Sequence, residues 1–421
     1  MAADTQKEIF VFTDGHEQEE PLLMGILKAS EVRGKEVFSF EYDMEFLTSE
    51  WAFDIDPNLQ LYQGPQYLPE NQNNFGIFLD SSPDRWGRVL MERREAARAR
   101  SEERSRKRLM ESDYLLGVFD KPRMGALRFK VDLEGPFLDN DQRHVTPPMT
   151  SIRELEHASL ELEEDEQFKN ANYLQNLALL VAPGSSLGGA RPKASVKDTE
   201  GALWIAKFPS KKDDVDQGAW EYLVYQLAQI CGIQISESDA STYYSDHHTF
   251  LTKRFDRNRD GDRIHFFSAM TLLGYQDGVD ANAGVSYLEL AELLMKRGAS
   301  VSVDLEQLWR RIVFYILVSN TDDHLRNHGF LLTKKGLRLS PAFDINPNPK
   351  GYGLNLNIDE QSNDLDLDLA INVAKYFRLD EGYAGEIIAS MKSAISQWSS
   401  LAESMDISRK EIDQMSSAFK M

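Results

Sequence analysis

One cysteine, Cys231, stands in 421 residues, so an internal disulfide is excluded and the chain suits a reducing compartment. Long apolar runs are missing too. The longest, Ile312 to Val318, falls far short of the roughly 20 residues that a bilayer-spanning helix needs. Met1 to Lys7 carries neither the basic stretch nor the apolar run of a secretion signal, so the expectation is a cytoplasmic protein with no membrane partner. Positive charge is in deficit: 47 Lys and Arg face 68 Asp and Glu, a formal net charge of -21. That balance argues against broad nonspecific nucleic-acid binding and leaves any DNA role to a partner. Repeats of fixed period are absent as well, and the length predicts two to three domains.

What is present separates into three regions. The first, residues 1–140, mixes strand-like runs (Ile9 to Phe12, Val37 to Tyr42, Ala126 to Val131) with a charged helical stretch from Arg88 to Met110. The acidic run Glu161 to Glu166 then reads as a solvated helix face or linker. In the second region, 150–260, the apolar helix Tyr173 to Val181 leads into a Gly-rich loop and strands. In the third, 261–421, apolar residues recur at helical spacing over Tyr287 to Lys296, Leu305 to Ser319, Leu365 to Phe377 and Ala384 to Ala402. A strand-rich part followed by a helical part predicts an α+β, bilobal architecture with a mainly α-helical C-terminal lobe.

The chemistry concentrates in Asn320-Thr321-Asp322-Asp323-His324-Leu325-Arg326-Asn327, with Asp344 seventeen residues after Asn327. Phosphoryl transfer needs a carboxylate to accept the attacking hydroxyl's proton, and an amide oxygen and a second carboxylate to hold magnesium against nucleotide phosphates. Asp322 and Asn327 keep the Asp-x-x-x-x-Asn spacing of a kinase catalytic loop. Between Asn327 and Asp344, Gly329 to Leu339 reads as a hairpin around Lys334-Lys335-Gly336, which would return Asp344 beside Asn327. By itself the spacing is weak, since Asp and Asn also cap helices and fill turns.

Pro183 to Lys193 is Gly-rich, with Gly184, Gly188 and Gly189 able to bring backbone amides close to phosphate oxygens. It is not a Walker A loop, because Ala190-Arg191 follows Gly189 where Lys and Ser or Thr are required. Lys207 sits in the apolar strand Ala202 to Pro209, where a lysine is costly to bury unless it meets an anion. Glu221 on the next helix is a candidate partner for it.

These pieces, in this order, resemble the HipA family of bacterial serine/threonine kinases, the toxins of HipA/HipB toxin-antitoxin systems. The resemblance runs through Asp80 to Gly87, Ser112 to Val118, Arg123 to Phe129, Ser186 to Lys193, Lys253 to Arg257, Asn320 to Asn327 and Ala342 to Asp344. It implies a protein-kinase-like core with a strand-rich N-terminal subdomain, using ATP and Mg2+. Asp322 is then the expected base, and Asn327 and Asp344 the expected metal ligands. The nucleotide contacts it implies are Ser186, Gly188, Gly189, Lys193, Lys207, Lys253, Phe255 and His324, with Leu251 to Phe255 meeting adenine. Ser186 falls on the serine that family members autophosphorylate, and roughly two added negative charges there would repel ATP phosphates. The implied partners are a protein substrate, an aminoacyl-tRNA synthetase among the family's targets, and a HipB-like antitoxin that contacts DNA, with room for a dimer within that complex.

Two rivals stand beside this expectation. Asp322, His324 and His328, with Asp323 and Asp344, could form a metal-hydrolase site, although Leu325 stands where a His-Glu-x-x-His pattern needs glutamate. A pseudokinase that binds ATP without transfer is the other. The arginines between Arg93 and Arg108 read as a solvated helix of mixed sign, with a DNA-approaching surface as the sharper alternative.

Overall fold

The computed structural model describes residues 6–54, 56–69, 72–83, 85–138, 146–164, 173–181 and 191–420. The chain divides into two compact units. One comprises Met1–Lys211, Asp256–Phe267 and Thr271–Gln276, the other Lys212–Phe255, Ser268–Met270 and Asp277–Met421.

In the first unit, β1 (Lys7–Thr13), β2 (Leu22–Val32) and β3 (Lys35–Tyr42) form an antiparallel meander. Alternation places Ile9, Leu27 and Phe40 in one buried cross-strand row, and Ala29 and Phe38 in the next. Gly25 is required in β2, because a Cβ there would meet Glu41 O at 2.3 Å. Asp43 caps α1 (Met44–Thr48), and the short β4 (Gln66–Tyr67) pairs with β3. Helices α2 (Gly76–Asp80), α3 (Arg85–Ser101) and α4 (Glu111–Leu116) follow, and β5 (Leu127–Lys130) completes the order β4-β3-β2-β1-β5. Then come α5 (Ile152–Glu164), α6 (Tyr173–Val181) and the hairpin of β6 (Lys193–Lys197) and β7 (Leu203–Lys207).

The motifs of this unit converge on Arg123, which is fully buried. Its guanidinium donates to Ser81 O at 2.7 Å, Leu115 O at 2.9 Å and Val118 O at 2.8 Å, and lies 4.5 Å from the Phe129 ring centre. Carbonyl dipoles thus help to hold this buried cation, which also interacts electrostatically with the Asp120 carboxylate.

The expected Arg88 to Met110 helix is shorter, ending at Ser101. Past it, Glu103 takes a positive φ of 50° and the chain folds back on α3. Arg104 bonds Glu95 and Glu102, each at 2.6 Å, Arg106 meets Glu92 at 3.2 Å, and Lys107 meets Asp113 at 2.9 Å. The mixed-sign expectation holds, but Arg104 and Arg106 reach back to Glu95 and Glu92 on the helix, and Lys107 reaches Asp113 on α4. Several of the cations proposed for DNA are engaged within the chain.

The second unit contains α7 (Gln217–Ile230), the hairpin of β8 (Ser238–Thr242) and β9 (His248–Lys253), then α9 (Tyr287–Arg297) and α10 (Val301–Val318), while the intervening β10 (Phe266–Ser268) and α8 (Ala269–Leu273) are divided between the two units. The hairpin β11 (Gly329–Thr333) and β12 (Gly336–Leu339) follows, and α11 (Leu367–Val373), α12 (Glu381–Ile395), α13 (Trp398–Ser404) and α14 (Arg409–Met415) close the chain. Its core holds Trp220, Trp309, Ile312, Val313, Tyr315 and Phe330, all at or near zero exposure. The Ala384 to Ala402 periodicity resolves into two helices broken at Ser396–Gln397. Among the described residues, no helix is long and apolar enough to cross a membrane.

Candidate active site

Helix α10 delivers the site. Every residue from Arg311 to Val318 is buried, so its polar terminus lies inside packed protein. The helix stops at Ser319, whose φ is 50°, and the Asn320 amide reaches back to Tyr315 O at 2.9 Å, the six-to-one bond of a Schellman turn. A serine in this conformation costs about 1–2 kcal/mol. Packing and hydrogen bonds around it must offset that strain.

Beyond the turn, burial alternates: Asp322 is exposed, Asp323 buried, His324 half-buried and Leu325 buried. The Asp323 carboxylate accepts from the Tyr287 hydroxyl and, at 2.6 Å, from the Asn355 amide. Burial pushes its pKa up to about 6. Asp323 is thus the loop's anchor, and its neighbour is the acid at the surface. A 3-10 turn, Leu325–Asn327, then carries Asn327 inward. Its Nδ2 donates to Asp322 O at 2.7 Å, while Oδ1 is buried without a hydrogen-bond partner.

The expected hairpin is present, pairing Phe330 with Leu339 and Thr333 with Gly336. The Ser340 amide closes its base on Gly329 O at 2.9 Å. Asp344 follows with a positive φ of 56°. Hydrogen bonds tie this second segment to the first: Asn346 N to Asn320 Oδ1 at 3.1 Å, Asn348 N to Ser319 O at 3.1 Å, and Asn348 Nδ2 to Thr321 Oγ1 at 2.8 Å. Asn346 Nδ2 also donates to Asp344 Oδ1 at 3.2 Å. The Asp322 and Asp344 segments are therefore brought together. Phe255 joins them through Phe343, ring centres 5.4 Å apart.

An amide oxygen in a buried position with an empty acceptor fits a hard cation, as does the Asp344 carboxylate. The metal-hydrolase alternative fares differently. His328 is fully buried, its Nε2 lies 3.2 Å from Asp323 O, and burial drives its pKa down to about 3. Such a ring is neutral and engaged in holding the loop. Among the described residues, no group of three or more His, Cys, Asp and Glu is arranged to hold a metal. His324 has a buried Nδ1 without a hydrogen-bond partner.

Elsewhere, Lys253 meets Glu237 at 3.1 Å, and Glu221 is buried on α7. In the first unit, Lys193 and Lys207 are direct cross-strand partners at the open end of the β6–β7 hairpin, and Lys193 is buried. Ser186, Gly188 and Gly189 lie outside the described residues. Tyr287, Asn346 and Asn355 were not expected from sequence. Only Asn346-Pro347-Asn348-Pro349 offered a signal, as a rigid turn rich in amides.

A family model described as the HipA-like C-terminal domain matches residues 185–398. A Haemophilus influenzae protein whose name carries the word kinase is 24% identical over 179 residues, covering 38% of this chain and 52% of that protein. The Serine/threonine-protein kinase toxin HipA of Shewanella oneidensis is 25% identical over 192 residues, 39% of this chain and 43% of that one. The matches thus span about half the length of these curated relatives or less. Among solved structures, HipA in the Shewanella oneidensis HipA, HipB and operator DNA complex superposes with a TM-score of 0.64 at 17% identity, covering 98% of this chain and 95% of that chain. That likeness shows the shared α+β fold, and with the family model matching just over half of its length, this chain belongs to the HipA family.

Proposed function

We propose that this protein is an ATP- and Mg2+-dependent protein serine/threonine kinase in which Asp322 is the general base. The observation that carries this reading is the division of labour in the loop 322–327. Asp323 is buried and committed to Tyr287 and Asn355, Asp322 is exposed, and Asn327 fixes the Asp322 backbone while keeping a buried oxygen for a cation.

In this mechanism the substrate hydroxyl docks against Asp322, which orients it and takes its proton as attack proceeds. Asn327 Oδ1 and Asp344 would hold Mg2+, which when bound neutralises charge on the nucleotide phosphates. Asn346 restrains the Asp344 carboxylate through its 3.2 Å bond. Lys193 and Lys207 supply phosphate contacts. The two lysines are direct cross-strand partners on the hairpin, and paired cations of this kind suit a phosphate. His324 offers its Nδ1 edge to the nucleotide, and Phe255 and the backbone of Leu251 to Phe255 meet adenine. Lys253, which meets Glu237, is a further proposed nucleotide contact.

The wider biology follows the relatives. The substrate would be a protein, the partner a HipB-like antitoxin that brings DNA with it, and Ser186 a self-inhibitory phosphorylation site. Incubation with ATP and Mg2+, followed by mass spectrometry of wild type and Asp322→Asn, tests the core of this. Phosphate in wild type, lost by at least about a hundredfold in the variant, is expected for removal of a general base. Equal phosphate in both would overturn the role of Asp322. ATP binding with no phosphate transfer in either would make the protein a pseudokinase.

A further inference from the structure

The N-terminal motif Asp80 to Gly87 directly contacts the lysine hairpin. The Trp86 indole Nε1 donates to Lys193 O at 3.1 Å, and the indole is buried, 6% exposed. β6 is an edge strand whose ladder partner is β7. Side-chain and backbone directions alternate along it, so Lys193 and Lys197 turn backbone groups toward the same outer edge. At the far end, Lys197 N donates to Pro147 O at 2.9 Å. At the Lys193 end, the Trp86 indole takes the place of a neighbouring strand.

The indole is held firmly. Arg88, one residue beyond Gly87 on the same helix, makes a two-pronged bond to Glu111 at 2.7 Å on each side, donates to Pro83 O at 3.2 Å and covers the Tyr114 ring at 4.4 Å. Arg123 fixes Ser81 O ahead of the helix. Behind Arg123, the loop 121–125 is clamped: Gly125 N donates to Asp256 at 2.8 Å, and Arg257 donates to Lys121 O at 3.0 Å and Arg123 O at 2.9 Å. Each motif of the N-terminal region is thus a link in a rigid chain that ends on the backbone of Lys193.

We propose that Trp86 is a positioning residue for nucleotide phosphate binding, fixing Lys193 opposite Lys207 through the indole bond to the Lys193 carbonyl. This rests on the ATP reading above. The N-terminal region thereby sets nucleotide affinity without touching the nucleotide.

The test is a double-mutant cycle in the full chain with Trp86→Phe, which keeps an aromatic ring and removes the donor, and Lys193→Met. Nucleotide affinity is measured by titration with a fluorescent ATP analogue, with thermal melting of the nucleotide-free proteins alongside. Loss of one hydrogen bond predicts about a fivefold weaker affinity for Trp86→Phe, a small change in melting temperature, and no further loss when Lys193→Met is already present. Unchanged affinity in Trp86→Phe overturns the proposal. So does a loss of equal size in the Lys193→Met background, because the effect would then bypass Lys193. A wild-type protein that binds no ATP analogue would overturn the kinase reading itself and this inference with it.

Discussion

Asp322 and Asp323 are the same residue type at adjacent positions, and their environments separate their roles. One carboxylate is exposed, whereas the other is buried, accepts from Tyr287 and Asn355, and has its pKa raised by burial to about 6. An unpaired buried carboxylate oxygen is expensive, so the Tyr287 hydroxyl matters beyond its own packing. Tyr287→Phe is expected to lower stability by about 1–3 kcal/mol, read by urea unfolding. It should also reduce phosphoryl transfer, because the anchor that presents Asp322 is loosened. A variant as stable and as active as wild type would show that Asp323 finds another donor and that Tyr287 is not its anchor. The two adjacent acids could be read from the sequence, but their division could not, because Tyr287 lies 36 positions away.

At the scale of elements, α10 and the β11–β12 hairpin were legible because each announces itself locally, by apolar spacing in one case and by two apolar runs around Lys334-Lys335-Gly336 in the other. Gly336 is the residue the hairpin cannot replace. Its φ is 125°, and a Cβ would lie 2.5 Å from Arg297 O. Gly336→Ala is expected to cost about 1–3 kcal/mol, measured by chemical denaturation. It should weaken nucleotide-dependent activity more than substitutions at the neighbouring Lys335, because the hairpin leads directly to Asp344. Equal effects at the two positions would separate the turn from the site. Other elements were not legible. β2, the longest strand among the described residues, carries Gly25 and Lys28 in its middle and so lacks a clean alternation. The end of α3 is set by Arg104 folding back on Glu95, a contact that no period along the helix encodes. The tie between the Asp344 segment and the loop 320–327 depends on Asn346 and Asn348 meeting residues nearly thirty positions earlier, beyond any local pattern.

At the scale of the whole molecule, the charge of -21 means that mild acid relieves repulsion among carboxylates, yet buried histidines oppose that gain. His265 bonds Thr13 Oγ1 at 2.6 Å and packs against Phe53 with ring centres 5.3 Å apart. Burial, helped by the positive charge of Arg263 and the proximity of His16, lowers its pKa to about 3. An unfolded histidine titrates near 6.5, so between the two values the unfolded chain binds a proton that the folded chain refuses. Stability from this group is therefore complete above about pH 6.5 and lost progressively as pH falls toward 3. Between pH 7 and pH 5 the loss from one such site is about 2 kcal/mol. His265→Gln removes the titration while keeping a polar side chain for Thr13. Its absolute stability should be lower than that of wild type, but its decline between pH 7 and pH 5 should be smaller by about that amount. Parallel declines in urea unfolding at the two pH values would mean that His265 is solvated in the folded protein and that acid sensitivity originates elsewhere, His328 being the next group with the same sign.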